Sequence, residues 1–597
     1  MRATRLTRSA VDPSSSSSSF VSALPRKARV AIIGAGPSGF YAASRLLSRI
    51  PYSSTHTSTA QPLNIDIFDR LPVPHGLVRY GVAPDHPDVK NVEHKFESVS
   101  ADPRLRFAGN VNVVHSADGA GERPYPDAVQ VPLELLSRYY THILFSYGAS
   151  TARGLGIPGS QPAELQGVYS ALQFVNWYNG HPASHDPSIE TQRASMDLAN
   201  KHHMTVIGAG NVALDIARIV LRSSTPFLES SSGRVTSNKA PGLAALEETD
   251  VPEPVLAELA RCKVKHVDVF ARRGPAQLAF TNKEVREMLS LEGIALRAPE
   301  KHLLDSALVQ LEELAQKSAG STPERASAIA SEVRVKKRLL SLLAKGSKTK
   351  VDEGQVKTWG LNFFRSPAKF SPKDDGSNNV GRVEWNVTTL QSGKPTARNL
   401  DAADPRKAAW GSASTDPTST NTSASTGETV TTETDMIVSS VGYQSEALFS
   451  TQTPTPSTSL VQNGQLTHLP FDRTRRIVPN LAGRIIDPST RTPLPGAYVS
   501  GWLARGPQGV IATTMMDAYS VADLILRDLH SPTPDTSNNA DQLDADLLHK
   551  LQSESSNKVV GFQDWRKIDQ EEKKRGASLG KIREKVLTVR EMLDIIN

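Results

Sequence analysis

Residues 28–47, "ARVAIIGAGPSGFYAASRLL", decide the fold. An apolar, β-branched run leads into Gly34-x-Gly36-x-x-Gly39, and a helical pattern of apolar residues follows. In a strand–turn–helix unit the first glycine permits the tight turn, the second lets backbone approach a pyrophosphate, and the third lets helix pack close on strand. Amides at the helix N-terminus then face the phosphates. Downstream, "NIDIFDR" supplies a second strand, at whose end Asp69 can accept from ribose hydroxyls. The spacing from Gly39 to Asp69 exceeds the usual ~20 residues, and the polar stretch "PYSSTHTSTAQP" accounts for the excess as a loop insertion.

A second unit of the same kind begins at residue 202, "HHMTVIGAGNVALDIARIVL", with Gly208, Gly210 and Ala213 in the three small-residue positions and Asn211 and Val212 opening the helix. Its second strand is residues 266–275, "HVDVFARRGP", and the polar "SSTPFLESSSGRVTSNKAPG" swells the segment between them. Where an acid would hold the ribose of NAD, this strand ends on Arg272 and Arg273. Guanidinium forks grip a 2′-phosphate through bidentate, charge-assisted bonds, so the second nucleotide is expected to be NADP(H). The plainer alternative is a pair of solvated surface arginines. Two such units, the acid-ended one first, fit a flavoprotein that binds FAD in its first domain and a nicotinamide cofactor in its second. Near the C-terminus, "GAYVSGWLARGPQGVIATTMMDAYSVADLIL" gives another strand, then glycines, then a helix, a junction suited to completing a flavin site.

The chain has 597 residues, 38% apolar and 22% charged, which suits two or three ordinary globular domains. No stretch approaches the roughly 18 uncharged apolar residues of a membrane-spanning helix. Residues 1–29 hold six Lys or Arg, one acid (Asp12) and a serine run, the composition of a mitochondrial presequence, expected over residues 1–28. A disordered tail is the alternative. Removing that segment's +5 from the total of +6 leaves about +1, so the overall charge gives no reason to expect nucleic acid as a partner. The single cysteine, Cys262, excludes an internal disulfide, a Cys-x-x-Cys redox pair and a cysteine-ligated cluster within this chain. No metal site is expected.

The blocks "GLVRYGVAPDHPDVKNV", "FVNWYNGHP", "GAGNVALDIARI", "RRGPAQLAFTNKEVREM", "WGLNFFRSP", "SGWLARGPQGVI" and the tail "FQDWRKIDQEEKKRG" resemble the mitochondrial adrenodoxin reductase family, from about Arg29 to the end of the chain. The resemblance implies an α/β enzyme with two Rossmann-like, glutathione-reductase-like domains, the FAD domain discontinuous and the NADP domain inserted in it. The expected limits are 29–149 and 444–597 for the FAD domain and 150–443 for the NADP domain. "YTHILFSYGAS" and "DMIVSSVGYQS" are strands ending at a glycine, where the chain crosses near Ala149 and Tyr443. Two Ser/Thr-rich stretches, one over about 412–434 and "SPTPDTSNNADQ", read as disordered loops.

Carried over by motif, the resemblance puts flavin contacts on Gly34, Gly36, Pro37, Ser38, Gly39, Asp69, Leu77, Trp502, Gly509, Val510 and Ile511. NADP contacts fall on Gly208, Gly210, Asn211, Val212, Arg272, Arg273 and Glu284, with Trp502 and Gly509 bordering the nicotinamide. Ala209 departs from relatives that carry Gln there, but the flanking glycines are intact, so binding is expected to survive. His86, Asp215 and Glu284 fall at family positions that orient the nicotinamide ring or shuttle the flavin proton. Their ordinary readings are a loop histidine bonded to backbone, a surface helix acid, and an acid paired with Lys283 or Arg286.

The implied reaction is transfer of electrons from NADPH through FAD to an acidic [2Fe–2S] ferredoxin, supporting iron–sulfur assembly, haem modification or a P450 system in the mitochondrial matrix. With Cys262 alone, the electrons must leave the chain directly. Residues 333–350, "VRVKKRLLSLLAKGSKTK", hold seven cations and no acid, and Arg334 and Arg338 project from one helix face. The resemblance makes that face the ferredoxin dock, on a monomer attached at most peripherally to the inner membrane. Competing readings are a flavin subunit like that of glutamate synthase, which normally brings cysteine-bound clusters, and a nucleotide-binding homologue without turnover.

Overall fold

The computed structural model describes residues 27–52, 62–115, 125–161, 164–189, 196–224, 240–318, 320, 322–351, 356–391, 422–449, 459–462, 464–530 and 546–597. The expected presequence up to residue 26, most of the two polar insertions and the whole of "SPTPDTSNNADQ" lie outside the described residues.

Four short strands open the chain: β1 (Ala28–Ile33), β2 (Leu63–Phe68), β3 (Leu105–Ala108) and β4 (His142–Phe145). Most of their residues are apolar and buried because both faces of a parallel sheet are covered. β1 pairs in parallel with β2 and β4, with Ile33 opposite Phe68 and Phe145. Helix α1 (Pro37–Arg49) follows β1, with Pro37 in its first turn, where the missing N–H costs nothing. It buries Phe40, Leu46 and Leu47 against the sheet.

The second unit repeats the pattern. β5 (Val168–Ser170) and β6 (His203–Ile207) lead into α2 (Asn211–Ser223), then β7 (His266–Phe270), α3 (Asn282–Ser290) and β8 (Ile294–Arg297). The helices α4 (Lys301–Ser318) and α5 (Pro323–Lys345) pack on each other before β9 (Lys357–Asn362). An antiparallel sheet of β10 (Arg365–Pro372), β11 (Val380–Gln391) and β12 (Thr422–Glu433) precedes β13 (Met436–Ser439). The parallel sheet runs β8-β9-β7-β6-β13-β5.

Strand β12 corrects the sequence reading of a disordered loop over about 412–434: from Thr422 onward this stretch pairs with β11, Val430 facing Trp385 and Thr432 facing Val383. The reading weighed its polarity, but "TVTTE" is β-branched, and Thr fits a strand with one solvated face. Thr432 accepts from the Trp385 indole at 2.8 Å, and Trp385 stacks on Phe270 with centroids 3.9 Å apart, joining this sheet to the end of β7.

Two-residue strands at Thr151–Ala152 and Tyr443–Gln444 pair antiparallel, so the outgoing and returning chain run side by side. The chain then adds β14 (Pro493–Val499) in parallel beside β4. With the short antiparallel strands Arg484–Ile486 and Asn480–Leu481 at its edge, the first sheet is ordered Asn480–Leu481, Arg484–Ile486, β14, β4, β1, β2, β3. Helix α6 (Ile511–His530) packs along α1, where Arg45 bonds Asp523 at 2.8 Å. The final helices α7 (Phe562–Ser578) and α8 (Val589–Ile596) touch both units.

Candidate functional site: two clefts and their seam

The first glycine turn sorts its residues by space. Gly34 has φ +111°, and a Cβ there would lie 2.6 Å from the Tyr147 Cα; one on Gly39 would lie 2.3 Å from the Gly34 carbonyl oxygen. Gly36 is different: nothing stands within 4 Å of its would-be Cβ. The turn is thus tight against protein on two sides and open on the third, the shape a pyrophosphate needs. Asp69 accepts from the Ala35 amide at 2.8 Å and the Leu71 amide at 3.0 Å, while burial pushes its carboxyl up against those bonds. A Cβ on Gly76 would come 3.1 Å from the Gly36 Cα, which sets Leu77 beside the same cradle. Ser38 and Ser500 share a buried 2.8 Å hydrogen bond, locking the turn to the C-terminal junction. Beyond it, Trp502 leaves its indole Nε1 buried with no protein partner, and Gly509 (φ +82°) and exposed Val510 lead into α6 at Ile511. An open cradle, an acid at the strand end and an unpartnered indole donor fit FAD.

The second turn has the same anatomy. Gly208 has φ +112°, with its would-be Cβ 2.2 Å from the Ser440 oxygen, whereas Gly210 again faces open space. Ala213, fully buried, holds α2 close to its strand. Asn211 accepts from the Thr281 amide at 2.9 Å, fastening α2 to α3, and Val212 lies in the same first turn of α2. Arg272 is exposed and Arg273 half-buried at the tip of β7, whose backbone is fixed by the Thr388 hydroxyl bonding the Arg272 carbonyl at 2.7 Å. These residues fit NADP(H).

Between the clefts, the fold brings His86, Asp215 and Glu284 together: one ligand-type atom from each lies within 4.8 Å of the others. His86 comes from the loop after Leu77, Asp215 from α2 and Glu284 from α3. His86 meets Glu287 at 2.8 Å through Nε2, so it is not bonded to backbone there. Glu284 pairs with Arg218 at 3.0 Å, and it is Glu287 that approaches Lys283, at 3.8 Å. Asp215 is mostly buried beside Arg218 at 2.9 Å. Burial, with Glu284's charge adding to it and Arg218 opposing, pushes its carboxyl up to about 7. The phenols of Tyr178 and Tyr443 sit in the field of Asp215, and burial pushes both upward. Tyr443 also packs on Trp502, centroids 6.0 Å apart, which links this seam to the first cleft. Sequence reasoning missed Asp85, Arg218, Glu287 and Tyr443. The one available signal was Arg218, a cation among Ile216, Ala217, Ile219 and Val220 on a helix that is otherwise apolar there.

No protein-family model matches the chain. Among curated proteins it is 33% identical over 604 residues to the mitochondrial NADPH:adrenodoxin oxidoreductase of Bos taurus, covering 99% of this chain and 97% of that one. It is 32% identical over 574 residues to a probable mitochondrial enzyme of the same name from Schizosaccharomyces pombe, covering 95% of each. The chain belongs to the NADPH:adrenodoxin oxidoreductase family. Among solved structures, Mycobacterium tuberculosis FprA in complex with NADPH superposes with a TM-score of 0.67 at 29% identity, over 96% of this chain and all of that one. As a member of the adrenodoxin oxidoreductase family, the chain carries its cationic run on α5, and burial divides the run. Lys336 is turned inward to the Ala276 carbonyl at 3.0 Å and Lys337 engages Glu312 at 2.9 Å. Arg334 and Arg338 are exposed on the outer face. Asn282 bonds the Val335 carbonyl at 3.4 Å, so this face stands one helix away from Glu284.

Proposed function

We propose that this chain is a mitochondrial FAD-containing NADPH:adrenodoxin oxidoreductase that delivers electrons to an acidic [2Fe–2S] ferredoxin. The observation that carries this reading is the convergence of two open glycine cradles, one closed by Asp69 and one by Arg272 and Arg273, on the seam of His86, Asp215 and Glu284. When bound, FAD supplies the conversion of a hydride's two electrons into single-electron deliveries. The protein's own part is placement. Gly36 and the N-terminus of α1 hold the first pyrophosphate, Asp69 the ribose, and Leu77, Trp502 and the Gly509–Ile511 junction the rest of that cofactor. Gly210, Asn211 and Val212 hold the second pyrophosphate, while Arg272 and Arg273 grip the 2′-phosphate. His86, Asp215 and Glu284 orient the ring and keep a proton at the Asp215 carboxyl near neutral pH. Cys262 is buried and has no second cysteine to pair with, so electrons leave to an outside acceptor, which docks on Arg334 and Arg338.

The domain limits consistent with this reading are 29–149 and 444–597 for the FAD domain and 150–443 for the NADP domain. The site of action is the matrix, with peripheral contact to the inner membrane. Among the described residues no helix is long and apolar enough to cross a membrane.

The deciding test is spectroscopic. The purified protein should show a flavin spectrum that NADPH bleaches far faster than NADH does. Charge-assisted hydrogen bonds contribute roughly 1.5–3 kcal/mol each. Replacing both guanidinium groups, in Arg272→Ala/Arg273→Ala, should therefore raise the KM for NADPH on the order of 100-fold or more and leave NADH almost unaffected. A colourless protein, or one indifferent to the 2′-phosphate, would refute the reading.

A further inference from the structure

Arg218 lies in a part of α2 where Ile216, Ala217, Ile219 and Val220 are each at most 1% exposed, and it is itself only 1% exposed. A guanidinium so placed loses its hydration, a loss that pairing only partly offsets; apolar residues often stabilise such a position as well or better. Its pairing is unusually complete. Nε and Nη2 fork onto Asp85 at 2.8 and 2.9 Å, and Nη1 reaches Glu284 at 3.0 Å. Arg222, one turn on, adds a third bond to Asp85 at 3.1 Å. Asp85 belongs to the first unit and both arginines to the second, so this fork sets the register between the two clefts.

Sequence adjacency then matters. Asp85 directly precedes His86, and Pro84 and Pro87 flank the pair, stiffening the backbone. A planar, bidentate bond to Asp85 fixes its carboxylate in position and angle, and through three bonds of backbone fixes where the His86 ring begins. The same guanidinium touches Asp215 and Glu284, so one side chain spaces all three members of the cluster.

We propose that Asp85 and Arg218 are a positioning pair that holds His86, Asp215 and Glu284 in a single arrangement across the seam, and that hydride delivery depends on this arrangement. The inference rests on the proposed NADPH oxidation. The Asp215 carboxyl is faced by Arg218, His86, Glu284, Tyr178 and Tyr443, with Asp85, Arg222 and Glu287 behind them. Removing the charge of Asp85 leaves Arg218 less neutralised, so the carboxyl of Asp215 moves down.

The test compares the full-length holoprotein with Asp85→Asn and, as a second variant that keeps the charge but loses the fork, Arg218→Lys. Flavin content, NADPH affinity, the stopped-flow rate of flavin bleaching from pH 5.5 to 8.5, and the ¹⁵N resonances of the His86 ring in the oxidised protein are measured for each. Displacement of catalytic groups by about 1 Å costs up to ~100-fold. Both variants should keep flavin and bind NADPH within about twofold, bleach at least about tenfold more slowly, and show displaced His86 resonances. In Asp85→Asn the pH midpoint near 7 should also move lower. Unchanged rate, pH profile and His86 resonances would overturn the proposal; so would losses of flavin or NADPH affinity that match the loss of rate, since the pair would then be structural only. If Asp85→Asn yields no folded flavoprotein, Arg218→Lys decides by the same readouts. A wild-type protein that NADPH does not bleach would overturn the functional reading itself, and this inference with it.

Discussion

Gly34 and Gly36 stand two residues apart and serve opposite needs. At Gly34 a positive φ and the backbone of Tyr147 leave no room for a side chain, so the requirement is imposed by the protein itself. At Gly36 the backbone is extended (φ −84°) and the space beyond it is empty of protein, so the requirement comes from the ligand. Gly34→Ala should therefore lower the thermal stability of the flavin-free protein, by a few kcal/mol on the scale of backbone strain plus overpacking. Gly36→Ala should leave that stability unchanged and reduce flavin occupancy after purification. Calorimetry of the apoprotein beside the flavin-to-protein absorbance ratio separates the two, and equal behaviour of both variants would mean the open cradle is not a phosphate site. Residues of this kind were legible because their chemistry is local: a glycine turn, an acid or an arginine pair at a strand end. Arg218 and Asp85 were not, because each has meaning only through a partner 133 positions away.

Helix α5 shows the same division one level up. Its charge was readable as a run of cations, yet how each is engaged depends on α4 and on the Pro275–Gln277 turn packed against it: α4 holds Lys337 in a surface ion pair and the turn takes Lys336 inward. Arg334 and Arg338, one turn apart, stay on the outer face, with Lys345, Lys348 and Lys350 exposed further along the run. Charge of this sort mostly governs encounter rate and orientation, and salt screens it within about 8 Å at physiological ionic strength. Arg334→Glu/Arg338→Glu should slow ferredoxin reduction about tenfold at low salt and flatten its salt dependence, while reduction of a small artificial acceptor by NADPH stays intact. Equal loss with both acceptors would remove α5 from the docking surface. Strand β12 was illegible for a related reason: its polar face is solvated, and only pairing with β11 distinguishes such a strand from a polar loop.

At the scale of the whole molecule, the C-terminal segment binds the two units through charge that is largely buried. Glu572 accepts from Arg79 at 2.5 Å and from Arg583 at 2.9 Å, and Lys585 meets Asp250 at 2.9 Å and the carbonyls of Arg79 and Asn179. Lys90 closes the network on Asp250 at 2.7 Å, and the two lysines hold that carboxyl well below the usual range against the upward pull of burial. Acid thus attacks the molecule in stages. His75, His115 and His142 are buried, and burial lowers each from 6.5 to about 4; burial lowers His181 as well, to about 3. Because the folded values lie below the unfolded one, the stability these four histidines contribute is complete above about pH 6.5 and is lost as pH falls toward 4, where the unfolded chain holds up to four more protons on them. Linkage then makes the histidines' share of the slope at most about 5 kcal/mol per pH unit near pH 5. Asp250, and Asp569 beside Arg583 at 2.8 Å, are lowered rather than raised and add their loss only below their ordinary range near 3.8. Calorimetry from pH 8 to 4 should give a melting midpoint that falls most steeply between about pH 6 and 4, where the histidines titrate. His142→Gln, which removes one of the four titrating rings, should cut the histidines' share of the slope near pH 5 by about a quarter. A midpoint that holds steady down to pH 4.5 would mean these rings are not buried neutral in the folded protein, and the fold around Tyr498 and His142 would need to be redrawn.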